Sequence, residues 1–375
     1  MMLRRELVRD MRLSYTAMKQ WSLLLVLLAC SPSSGSPPAQ PAASQPAPAV
    51  VARNLEVPWS IAFAPDGRML FTERSGRVRV IENGRLRAEP LYVVKDVAQT
   101  GEIGLMGLEL HPGFAKNRLL YLSYGIECGG RLVVDVVRFR ETGTALVEPR
   151  PIVRNLPAAR FHAGCRLKFG PDRKLYITTG DATDREIAQD LSSLGGKILR
   201  VNDDGSIPPD NPFPRSPVWT YGHRNPQGLA WDPVSGLLFE TEHGPSGFDG
   251  GTGGDEVNIV EKGKNYGWPV IHHRQKHAGM EPPLLEFSPA VAPASAAFWK
   301  NDFYFGCLRG EHLHRVVLDP QDRRRVLREE TLYSNLGRIR EVAVGRDGAL
   351  YFSTSNRDGR GNPDASDDRI FRVAP

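Results

Sequence analysis

Cysteine is scarce in this chain. Four occur in 375 residues, and none form a C-x-x-C pair, which excludes zinc ribbons and thioredoxin-type chemistry. Long hydrophobic runs are also missing. The apolar stretch Trp21–Ala29 has nine residues, too few to span a bilayer. Neither sign of charge dominates: 48 Lys and Arg stand against 43 Asp and Glu. Residues 1–29 hold five of those cations and two of the acids, leaving 43 against 41 in the rest. No basic stripe with interleaved aromatics is present, so no nucleic-acid partner is expected. No heptad or long amphipathic run argues for helix. Glycine and proline, by contrast, number 37 and 30, which favours many turns and short strands.

Lys19 followed by Trp21–Ala29 reads as the cation and apolar core of a secretory signal. Leu27-Leu28-Ala29-Cys30 resembles a bacterial lipobox, so residues 1–30 are expected to be a signal peptide ending at a lipidated Cys30. Residues 31–50 contain six Pro, five Ser, five Ala and no charge. Such a segment builds no core and reads as an extended spacer. The expectation is a periplasmic protein that meets the membrane only through a lipid at Cys30. Cys128, Cys165 and Cys307 remain; an oxidising compartment would allow one disulfide among them and leave one thiol.

From residue 51 one pattern recurs six times: an apolar strand, a Pro/Asp/Gly turn, then an aromatic-rich strand. The copies begin at Trp59, Gly104, Cys165, Gln227, Ser295 and Ile339, with turns at Pro65, Pro112, Pro171, Pro233, near Asn301 and at Arg346. Period-2 alternation on both sides of a turn is a hairpin signal. The roughly 45–65-residue repeat matches a four-stranded blade with its loops. The pattern predicts an all-β chain, a six-bladed β-propeller of four-stranded antiparallel blades over 51–375. A propeller offers a substrate only its axial channel and the loops above it.

Several polar residues fall at the expected strand mouths. His162 precedes the third inner strand and could act as a base near neutral pH. Arg224 and Asn225, in Gly222-His-Arg-Asn-Pro-Gln-Gly, precede the fourth. Arg338 and Arg340 are i, i+2 at the start of the sixth, so both guanidiniums share one face and call for an anion between them. Arg309 ends a fifth-blade strand and could join them, forming an arginine ring suited to a polyanion. Glu242-His-Gly244-Pro245 opens a glycine-rich, mobile loop whose carbonyls suit Ca²⁺. It matches neither a nucleotide loop nor an EF-hand. His272, His273 and His277 have zinc-like spacing without a helix or a Glu base, and Arg323-Arg324-Arg325 reads as a solvated loop run.

Taken together, Trp59-Ser-Ile-Ala-Phe, Gly104-Leu-Met-Gly-Leu, His162 before Arg-Leu-Lys-Phe-Gly-Pro-Asp, the Gly222–Gly228 segment, Glu242-His-Gly-Pro, Asn265-Tyr-Gly-Trp-Pro and Gly337-Arg-Ile-Arg-Glu-Val resemble the glucose/sorbosone dehydrogenase family. The resemblance implies a soluble enzyme that uses pyrroloquinoline quinone (PQQ) and Ca²⁺ to oxidise the C1 hydroxyl of aldoses to lactones, passing electrons to a periplasmic acceptor. It implies that His162 is the catalytic base, that Arg224 acts beside it, and that Arg224 and Asn225 contact the quinone. Gly244 and Pro245 would hold Ca²⁺ through their carbonyls; Arg309, Arg338 and Arg340 would hold the cofactor's carboxylates. Departures from the family pattern are Phe161 in place of an acid before the base, Glu102 in place of a glutamine contact to the cofactor, and Ala290 in place of a threonine. The first two favour a broad aldose specificity over one specialised for glucose. Two other readings compete: a metal-dependent lactonase-type hydrolase using carboxylates such as Asp181 and Asp255, and a cofactor-free binding propeller.

Overall fold

A computed structural model describes residues 47–249 and 251–375. The expected signal peptide, Cys30 and most of the spacer lie outside the described residues. No helix among the described residues is long and apolar enough to cross a membrane.

The six expected copies are six antiparallel sheets. Blade 1 comprises Pro58–Phe63, Met69–Glu73, Arg77–Glu82 and Arg85–Leu86, with Tyr92–Val93 also on its third strand. Blade 2 comprises Leu105–Leu110, Leu119–Cys128, Arg131–Glu141 and Leu146–Pro157. Blade 3 is Gly164–Phe169, Leu175–Thr179, Lys197–Val201 and Val218–Tyr221. Blade 4 is Pro226–Trp231, Leu238–Glu242, Asp255–Val260 and Leu285–Phe287. Blade 5 is Pro293–Trp299, Asp302–Cys307, His312–Leu318 and Val326–Leu332. Blade 6 takes Ile339–Val344, Leu350–Thr354 and Ile370–Val373 from the C-terminal end and Ala49–Ala52 from the N-terminal end. This last pairing joins the N-terminal strand to the C-terminal strands in one blade and so closes the ring, and its strand begins at Ala49, inside the segment expected as spacer.

The recurring turn has a local cause. In blades 1, 3, 4 and 6 an aspartate carboxylate accepts the backbone N–H two residues on: Asp66 from Arg68, Asp172 from Lys174, Asp232 from Val234 and Asp347 from Ala349. Such Asx turns reverse the chain at low cost. Each innermost strand then contacts both neighbours around the ring. Its residues are therefore buried on both faces, as in Pro58–Phe63.

The core is not central. Its apolar clusters lie between adjacent blades: Leu70 and Val78 with Leu105 and Leu120, Tyr121 and Val134 with Leu167 and Ile177, and Ile198 with Leu229. The ring continues with Phe239 against Phe303 and Phe305, Leu313 against Phe352, and Ile370 against Phe71. The axis is thereby left to polar groups.

Two expectations need correction. Cys128, Cys165 and Cys307 are all free, Cys128 exposed and the other two buried, so no disulfide forms among them. The hairpins carry these thiols to separate blades. Arg323 is not part of a solvated run. It is buried, and its guanidinium donates to Asp232, with Nε to Oδ2 at 2.8 Å, and to Asn301 O. It thus ties the outer part of blade 5 to the first turn of blade 4. Arg324 and Arg325 are exposed as expected, with side chains 50% and 69% accessible.

Candidate active site

The polar residues gather at one end of the ring. Connections entering the innermost strands bring Glu102, His162, Arg224 and Arg338. The exits of the second strands bring Arg74, Asp181, His243 to Pro245, Arg309 and Asp358. They line two adjoining cavities of ≈340 and ≈550 Å³, which share Glu102, Phe161, His243, Arg338 and Arg360. A larger cavity, ≈760 Å³, opens at the other end of the innermost strands and is walled by Phe63, Phe169, Trp231 and Phe298.

His162 is buried, with φ at +59°. A non-glycine residue in that region costs about 1–3 kcal/mol. Packing enforces it: a Cβ at Gly180, on the neighbouring strand exit, would overlap the His162 carbonyl oxygen. The ring's Nδ1 lies 2.7 Å from Asp181 Oδ1. A carboxylate can only accept, so Nδ1 donates, and Nε2 is the basic nitrogen. Asp181 is itself held by Trp268 Nε1–H at 2.9 Å and by the Thr183 N–H at 2.8 Å. Base, orienting carboxylate and indole form one buried chain.

The arginines are placed around this base, though not as bare cations. Asp358 Oδ2 sits between Arg338 Nε (2.9 Å) and Arg340 Nη2 (3.5 Å), so a carboxylate of the chain occupies the anion position expected between them. Burial alone would raise the Asp358 carboxyl; Arg340 and Arg338 outweigh it and hold it below its usual range. Burial, helped by Arg338 and Arg74, lowers Arg340 to about 10, against the pull of Asp358. Arg224 is clamped by Asp249, Ser246 and the His243 carbonyl, with Nε to Asp249 Oδ2 at 2.9 Å. Arg309 stands exposed at the rim.

Asn225 is placed differently. It is fully buried and lines neither cavity. Its Oδ1 accepts from Gly164 N and Gln227 Nε2 at 3.1 and 3.0 Å, bracing the mouths of blades 3 and 4. Gly244 and Pro245 line the second cavity beside Arg224. Asp255 fixes them there: its Oδ1 accepts Gly244 N–H, while Oδ2 accepts from Val291 and Ala292. Asp181 and Asp255, the carboxylates a hydrolase would present to a metal, are thus both spent on other bonds. Glu102 accepts from the His162 N–H and from Arg360 Nη1. Phe161 lines both cavities and Ala290 the second. His272, His273 and His277 form no metal-ligand group among the described residues.

The sequence reading missed Arg74, Asp181 as the partner of His162, His243, Asp358 and Arg360. A positional signal existed, because each lies on a loop leaving a blade's second strand. Seven arginines and three carboxylates line the two cavities. Arg74 Nε and His243 Nε2 are buried without a hydrogen-bond partner. Burial pushes His243 down to about 4, so its ring is neutral at neutral pH. Excess cation and orphaned donors together fit a compact polyanionic guest with carbonyl and carboxylate oxygens.

Fold and site define a six-bladed propeller with a buried His–Asp base above a cationic axial cavity. Residues 55–362 match the family model for glucose/sorbosone dehydrogenases. The chain belongs to that family. It is 34% identical over 343 residues to the aldose sugar dehydrogenase of Escherichia coli, covering 83% of this chain and 90% of that one. Among solved structures it is similar to one from Thermus thermophilus described as an oxidoreductase (glucose dehydrogenase), with 46% identity, TM-score 0.83, and 87% and 99% of the two chains covered. It is also similar to the PQQ-bound aldose sugar dehydrogenase of Streptomyces coelicolor, with 35% identity, TM-score 0.78, and 86% and 96% coverage.

Proposed function

We propose that this protein is a PQQ- and Ca²⁺-dependent aldose dehydrogenase that oxidises the C1 hydroxyl of cyclic aldoses to lactones. The observation that carries this reading is the His162–Asp181 pair beside two adjoining cavities that seven arginines line between them. The Streptomyces relative, 35% identical, is PQQ-bound, which supports the choice of guest. PQQ bound there would supply the two-electron acceptor for the C1 hydride, with Ca²⁺ as Lewis acid. Arg338, Arg340, Arg309 and Arg74 would hold its carboxylates, and the Gly244 and Pro245 carbonyls would hold Ca²⁺. His162 Nε2 takes the proton of the C1 hydroxyl as the hydride departs, and Asp181 stabilises the imidazolium that forms. Phe161 presents an apolar ring to the sugar where an acid would present a second hydrogen bond, which suits a broad substrate range. Electrons would leave to a periplasmic acceptor, with the body tethered through Cys30.

The test is reconstitution. The purified protein, given PQQ and Ca²⁺, is expected to reduce an artificial dye with a panel of aldoses and to lose that activity on chelation. No dye reduction together with no change in PQQ absorbance would remove the reading. Arg338→Ala and Arg340→Ala are each expected to weaken PQQ binding by about 1.5–3 kcal/mol, roughly 10- to 150-fold, measured by absorbance titration. Each leaves Asp358 with one cation fewer, so the cavity turns less positive as well as losing a donor.

A further inference from the structure

We infer that blade 5 carries a buried site for one thiophilic transition-metal ion, Cu(I) or Zn(II), bound by Cys307 Sγ, His312 Nε2 and His314 Nδ1. The hairpin register sets the three side chains on one face. Cys307 pairs with His312 and Phe305 with His314, while His312 and His314 are two residues apart. All three are buried. One ligand atom from each lies within 4.8 Å of the others. The turn between the strands closes directly over them: a Cβ at Gly310 would come within 2.6 Å of His312 Cε1 and 3.2 Å of Cys307 Cβ.

His312 Nδ1 faces the Gly310 carbonyl at 2.9 Å, His312 Nε2 faces His314 Nδ1 at 3.1 Å, and His314 Nε2 faces Glu329 Oε2 at 3.0 Å. The Gly310 carbonyl only accepts, and so does Glu329 in its ionised form. Three gaps therefore need three protons, and two neutral imidazoles hold two. With the outer gaps filled, two lone pairs meet at the middle one. A metal ion in the middle gap resolves the conflict. Both rings then offer lone pairs, the thiol of Cys307 gives up its proton and completes a soft ligand set, and no electron changes hands. Glu329 is the carboxylate that orients His314, as metal-bound imidazoles require. Phe305, stacked on His314 at 4.8 Å, and Phe287, at 5.3 Å, supply an apolar shell.

The site is independent of the sugar-oxidising reading, and its test uses neither PQQ nor turnover. The full chain is stripped with a chelator, resupplied with Ca²⁺ and titrated with Zn(II) in one arm and with Cu(I), anaerobically, in another. Metal retained after desalting is then measured. Wild type, Cys128→Ser and His273→Ala are expected to retain one equivalent that Cys307→Ser and His312→Gln lack. Co(II) substituted into the wild type is expected to show a thiolate charge-transfer band. Glu329→Gln, at a partly exposed position, is expected to bind roughly 10- to 100-fold more weakly. Should the buried variants fail to fold, an unchanged affinity in Glu329→Gln would overturn the proposal. So would equal retention by wild type and Cys307→Ser, or none by the wild type in either arm.

Discussion

Replacing His162 by alanine is expected to lower the rate of aldose oxidation by about 10²–10⁴-fold while PQQ still binds. In the proposed reading the imidazole is the base, whereas the arginines that would hold the cofactor reach the cavity from other strands. Steady-state dye reduction gives the first quantity and PQQ absorbance titration the second. A fall in PQQ affinity that accounted for the whole loss would overturn the assignment. Asp181→Asn tests the same chain from behind. The amide can present its NH₂ to His162 Nδ1, which moves the ring proton to Nε2 and removes the basic lone pair. The expected loss is comparable, on the order of 10⁴-fold, with the ring still in place. Asp181→Asn activity near wild type would mean that the 2.7 Å contact only positions the ring.

Arg323→Ala is expected to lower the unfolding free energy by about 3–5 kcal/mol, because it leaves Asp232 buried and unpaired. The two side chains are 6% and 0% accessible. Burial raises the Asp232 carboxyl, but Arg323 and Ser235 pull it below its usual value, so it is charged in the fold. The double variant Arg323→Ala, Asp232→Ala is expected to regain part of the loss. Urea denaturation measures both, and a single-variant change under about 1 kcal/mol would show the pair to be dispensable. Arg324→Ala, whose partner Glu261 is itself exposed, is the contrasting surface case, expected within about 0.5 kcal/mol.

The contrast between Arg323 and Arg324 shows where local reading stops. In the sequence they are adjacent cations in one loop. Only the approach of blade 4 buries one and leaves the other in water. Arg338 and Arg340 make the same point. Their spacing dictates a shared face, and a shared face demands an anion. That the first anion is Asp358, 20 residues on, depends on how the loop after Leu350–Thr354 folds back over the axis. Asn225 was legible as a strand-mouth residue, but the closeness of Gly164 turned its amide inward to brace two blades.

The six repeated hairpins, their turns and the strand entries that carry His162, Arg224 and Arg338 can be read from the residues alone. These follow from side-chain alternation and turn chemistry, which act over a few residues. Which charges are paired depends on how the blades come together. The His162–Asp181 contact, the Asp358 bridge and the Cys307–His312–His314 cluster arise where a closed ring lays second-strand exits against neighbouring elements, and those contacts depend on how the strands register and the blades pack, which no short window of sequence encodes.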